Sequence, residues 1–77
     1  MYLYVLTQTG RDAISELQKA GKVDEVSVLE YISMVDGATV EQIAAFMHAD
    51  EDEAYDKLRS LCAKRWVWRK TTKLTLF

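Results

Sequence analysis

The stretch TVEQIAAFMHADEDEAYDKLRSLCAKRW, Thr39 to Trp66, decides the fold. Two helical patterns stand in it, separated by a tight connection. In the first, Val40 to His48, the residues Ile43, Ala44 and Met47 fall on one face. In the second, Glu51 to Lys64, Ala54, Leu58, Leu61 and Cys62 do the same. Thr39 with Gln42 three residues on has the spacing of a reciprocal cap, and Asp50 with Glu53 repeats it. The residues between, His48 to Asp50, form the turn. Glu51, Asp52 and Glu53 sit where the helix dipole favours negative charge, and Lys64 and Arg65 sit near its opposite end.

Working outward toward the N-terminus, Asp24 is the expected cap of a helix over residues 24–35 that turns Val28, Leu29, Ile32 and Val35 inward. Asp36-Gly37 ends it, since glycine enters the left-handed region at no steric cost. Ala38 is expected to make a short bridge to a later strand. Before that, Thr7 or Thr9 caps a helix over residues 8–20, with Asp12 three residues after Thr9. Its buried side is Ala13, Ile14, Leu17 and Ala20, and Gly21 stops it. The run YLYVL, Tyr2 to Leu6, is aromatic and branched and reads as a strand. Toward the C-terminus, residues 66–69 and 73–77 read as two strands joined by Lys70-Thr71-Thr72, a loop without the Gly or Asn of a tight primed turn. Trp66 and Trp68 are expected on one side of the first of these, packed in the core rather than stacking on bases.

Seventy-seven residues with 49% apolar content describe one small globular domain, residues 1–77. The single cysteine, Cys62, makes no internal disulfide, which suits a reducing, cytoplasmic setting; core packing is its expected role and a reactive thiol the alternative. No apolar run is long enough to cross a membrane, and the N-terminus reads as neither anchor nor signal peptide.

The net charge of −2 conceals a polarity. Through Asp56 there are twelve acids and three bases, a balance of −9; from Lys57 onward there are seven bases and no acid. Such asymmetry points to an electrostatically directed partner, or to a basic tail that pairs with the acidic body inside the fold.

From residue 24 onward the order of elements resembles the winged helix-turn-helix family common among prokaryotic, archaeal and viral transcription regulators. The matching residues are Ala38 to Ala44, the turn His48-Ala49-Asp50, the apolar set Ala54, Leu58 and Leu61, and the exit Lys64-Arg65-Trp66-Val67, where Arg65 stands in place of an expected glycine. The segment Leu6-Thr7-Gln8-Thr9-Gly10 looks like a junction that in many such regulators follows the wing; here it precedes the helical pair. The resemblance implies an α+β fold: a winged helix-turn-helix with four helices, a C-terminal β-hairpin wing and an N-terminal strand. That strand either joins the wing sheet or pairs with another copy to make a homodimer.

The resemblance further implies duplex DNA as partner. The exposed face of the second helix of the motif would read it through Tyr55 and Arg59, beside Glu51, Asp52 and Asp56, and the wing would hold phosphates through Arg69, Lys70, Thr71, Thr72 and Lys73. Carboxylates facing a polyanion are the misfit, so the alternative is a protein-interaction module that presents Glu51, Asp52, Glu53 and Asp56 to a basic protein partner, with Tyr55 as anchor. An enzyme is not expected. One His (His48) and one Cys do not make a metal site of the usual types, Ser15, Ser27, Ser33 and Ser60 have no readable base, and no motif for a cofactor or other small-molecule ligand stands in the chain.

Overall fold

The computed structural model describes residues 2–71, with the element order β1 (Tyr2–Leu6), α1 (Gln8–Lys19), α2 (Val23–Val35), α3 (Val40–Met47), α4 (Glu51–Ala63) and β2 (Val67–Thr71). The fold is α+β, compatible with a winged-helix layout. The second expected wing strand, residues 73–77, and the expected contacts Thr72 and Lys73 lie outside the described residues.

The local signals in the deciding stretch hold. Thr39 accepts from the Gln42 N–H at 3.2 Å while the Gln42 side chain accepts from the Thr39 N–H at 2.9 Å, so two otherwise orphaned donors are satisfied at the start of α3. Asp50 caps α4 by accepting from the Glu53 N–H at 2.8 Å. His48 turns the chain between them at a φ of 55°.

Other boundaries differ. Thr7, not Thr9, caps α1, accepting from the Gly10 N–H, and Asp12 instead accepts from the Gln8 side chain. Lys22, not Asp24, flanks α2, without a side-chain cap; Asp24 and Glu25 lie inside the first turn, where the dipole holds them. Asp36 itself takes the left-handed position at the end of α2 (φ 56°), one residue before Gly37. Gly21 does close α1, at φ 75°, with the Lys22 N–H donating back to the Leu17 carbonyl.

The sheet is antiparallel and closes the two distant ends of the described chain on each other. Tyr2 faces Thr71, Tyr4 faces Arg69 and Leu6 faces Val67. The N-terminal strand therefore joins the first wing strand within one chain. Lys70 and Thr71, expected in a loop, continue β2 because β1 offers them backbone partners. Ala38 bridges back to Tyr4 of β1, not forward to a later strand, with N···O distances of 2.8 and 3.0 Å. Thus β1 lies between Ala38 and β2.

The core is built where these elements meet: Leu29, Ile32, Ile43, Leu58 and Leu61 are sealed from solvent, with Tyr4, Val28, Ala38, Ala44, Ala54 and Val67 around them. Val26 is buried in place of the expected Val35, which is 40% exposed. In α1 only Gly10 is buried; Ala13, Ile14 and Leu17 are half-covered and Ala20 is exposed, so α1 rides on the outside of the domain. Trp66 packs partly against the core, but Trp68 is 58% exposed, so the two tryptophans do not share a buried side. Trp66 precedes the strand, and the pleat that begins at Val67 sends Val67 inward and Trp68 out.

Two features that depart from the resemblance have a defined structural part. Arg65 has a φ of 63°, the left-handed conformation that favours glycine, and the Trp66 N–H returns to the Leu61 carbonyl to finish α4. The Leu6-to-Gly10 junction fastens α1 to the start of the wing: the Thr7 hydroxyl donates to the Arg65 carbonyl at 2.6 Å, the Thr7 N–H donates to the Trp66 carbonyl at 3.0 Å, and Gly10 lies against that same carbonyl.

Candidate nucleic-acid interface

A groove of about 510 Å³ runs between the exposed flank of α4 and β2. The spacing along α4 turns Ala54, Leu58 and Leu61 into the core, which leaves Tyr55 and Arg59 on the flank toward β2. Arg69 enters from β2 and Tyr4, beneath it in the register, helps to line the groove. Trp68 borders the rim. Tyr55 and Arg59 are exposed.

Arg69 is braced. It stands opposite Tyr4 in the ladder, and its guanidinium carbon lies 4.4 Å from the centre of the Tyr2 ring, a cation–π contact that reduces the freedom of a long side chain. Burial pushes the Tyr4 phenol above its usual pKa, the neighbouring Tyr55 adds to this, and the Arg69 charge works against it. Cys62 also lines the groove; burial raises its thiol pKa, so it stays in the protonated, poorly nucleophilic form. A second hollow, of about 470 Å³, shares Tyr4 and Tyr55 and continues past Tyr2 to Thr39, Val40 and Glu41.

The structure thus brings Tyr55, Arg59 and Arg69 together around one groove and adds Tyr4 and Trp68, which sequence reasoning had not placed there. The signal for Tyr4 was available: Tyr2 and Tyr4 alternate onto one face of YLYVL, but the partner strand was needed to show what that face looks at. Lys70 and Thr71 are both exposed in β2, and the strand's alternation puts Lys70 on the opposite face from Arg69.

The acids Glu51, Asp52, Glu53 and Asp56 are all exposed. Among the described residues the one ion pair is Lys57 with Glu25, at 3.2 Å. Among the described residues, then, the basic segment makes one pair with the acidic body, and α4 opens with acids and carries its bases, Lys57 and Arg59, in its second half. Among the described residues no group of three or more possible metal-ligating side chains is assembled, and no helix is long and apolar enough to cross a membrane.

Comparison with protein-family models, with curated proteins and with solved structures gave no match.

Proposed function

We propose that this protein binds duplex DNA as a small transcription regulator, through the middle of α4 and the strand β2. The observation that carries the reading is the convergence of Arg59 and Arg69, from two different elements, on one groove beside a capped helix-turn-helix. Two guanidiniums with tyrosine hydroxyls between them match the spaced oxygens of a phosphate backbone. Tyr55 and Arg59 offer a stacking surface and a fork of donors to base edges. The carboxylates at the start of α4 set the angle of approach: the helix docks by its middle and end, with its first turn held away from the phosphates.

The test is a salt series of binding to random duplex DNA, followed by selection of preferred sites. Affinity falls steeply with salt, and Arg69→Ala/Lys70→Ala weakens binding to all sequences while reducing the slope of log K against log salt by roughly 0.9 per lost phosphate contact. Arg59→Ala or Tyr55→Ala changes the preferred sequence. Unchanged affinity in the β2 variant would rule out this mode.

A second reading rests on the exposed acids Glu51, Asp52, Glu53 and Asp56, which suit a basic protein partner docked on α4. Absence of DNA binding at low salt, together with a defined protein complex, favours it.

A further inference from the structure

The groove beside α4 does not end at Tyr55. The hollow of about 470 Å³ that shares Tyr4 and Tyr55 with it extends past Tyr2 to Thr39, Val40 and Glu41. Three tyrosines from two elements, β1 and α4, therefore line one hollow. Tyr2 is 50% exposed and Tyr55 41%. Phe46, exposed elsewhere on the surface, stacks on Tyr31 with ring centres 4.4 Å apart; among the described residues neither Tyr2 nor Tyr55 stacks on another ring. The Arg69 guanidinium against Tyr2 brings positive charge to this place, and Arg59 stands in the adjoining groove. Glu41 is the one acid among the described residues that line either hollow.

An intact duplex has little to offer these rings, because its bases cover one another's faces and present only their edges in the grooves. Exposed phenol rings beside guanidiniums match the opposite case, a base with a free face and a phosphate close behind it. We infer that the tyrosine hollow takes an unpaired base, so that the protein prefers DNA in which a duplex runs into a single strand. The base lies against the Tyr2 and Tyr55 rings, its phosphate pairs with Arg69, and Glu41 accepts from the amino group of a cytosine or adenine. The double-stranded part sits on α4 and β2 as proposed above, on which this placement rests, and the single strand continues toward Tyr2.

The experiment measures binding of the whole chain to four labelled probes by fluorescence anisotropy. They are a blunt duplex, the same duplex with a short cytosine tail of either polarity, the same duplex with an abasic tail of equal length, and a free cytosine strand. The two tails carry the same phosphates, so charge alone does not separate them. The cytosine tail binds roughly ten-fold tighter than the abasic one, the gain from about one stacked base. Tyr2→Ala removes that difference, and Tyr2→Phe, which keeps the ring, retains it. The ratio between the two tails is the readout, because a loosened Arg69 or a weakened strand lowers both affinities alike. Equal affinity for the two tails overturns the inference, and so does a Tyr2→Ala variant that keeps the wild-type ratio; the duplex reading survives either result if the blunt probe still binds. A free cytosine strand that binds through Tyr2 while the blunt duplex does not bind overturns the duplex reading and supports the unpaired base as the ligand of the hollow.

Discussion

Gly10→Ala puts the arrangement of α1 to a test in which propensity and packing predict opposite signs. Gly10 is the third residue of α1 and is buried. In an ordinary helix the change to alanine stabilises by up to about 1 kcal/mol. Here a methyl group would overlap the Trp66 carbonyl oxygen outright and come within 2.7 Å of the Leu6 side chain. Backbone, not a flexible side-chain tip, is in the way, so the first turn of α1 must lift off. That carbonyl accepts from the Thr7 N–H at 3.0 Å, and the Thr7 hydroxyl donates to the adjoining Arg65 carbonyl at 2.6 Å. Losing both costs about 2 kcal/mol, and strained packing adds at least about 1. Against the propensity gain, the net loss is about 2 kcal/mol. For a domain of this size that lowers the melting temperature by roughly 10–15 °C. Thermal unfolding followed by circular dichroism reads it directly. Gly21→Ala is the control: nothing lies within 4 Å of the added carbon, and only the left-handed backbone at φ 75° resists it, for about 1 kcal/mol. A Gly10→Ala variant that melts at or above the wild-type temperature would refute the close approach of α1 to Trp66.

Two further outcomes concern single residues. Arg65→Gly relieves the left-handed strain at the end of α4 and raises stability by up to about 1 kcal/mol, read as a higher urea midpoint with an unchanged slope; a lower midpoint would mean that the arginine side chain contributes more than its backbone costs. The Glu25 carboxyl sits below its ordinary pKa of 4.5, chiefly because its own backbone N–H binds the carboxylate, with Lys57 helping and partial burial opposing. Its contribution is therefore present above that ordinary value and disappears as pH falls through the lower folded one. Glu25→Gln flattens this part of the acid-side loss of stability, by about 1 kcal/mol or less; an identical pH profile would exclude a role for the pair.

What was legible in the sequence was what local chemistry encodes. The Thr39 cap needs only Gln42, the Asp50 cap only Glu53, and the core stripe of α4 only its own spacing. The neighbour of YLYVL was not legible, because a strand's partner is set by residues far along the chain; both candidates, the wing and another copy, were open until Tyr4 was seen opposite Arg69. The same gap hid the groove, since its floor comes from β1 and its walls from α4 and β2. Trp68 misled for a related reason: an aromatic beside a buried valine reads as core unless the start of the pleat is known.

The place of β1 between Ala38 and β2 also bears on how the chain acquires its shape. The contact of Tyr4 with Arg69 joins residues 65 positions apart. Closing so long a loop carries a larger entropic cost than forming any turn within the helical segment, and non-local pairing of this kind slows folding. On the ribosome, α1 to α4 emerge before β2 exists, so β1 has only its Ala38 bridge and its helix contacts until β2 completes the ladder. Of the described elements, the last to be made is the one that pairs with the first.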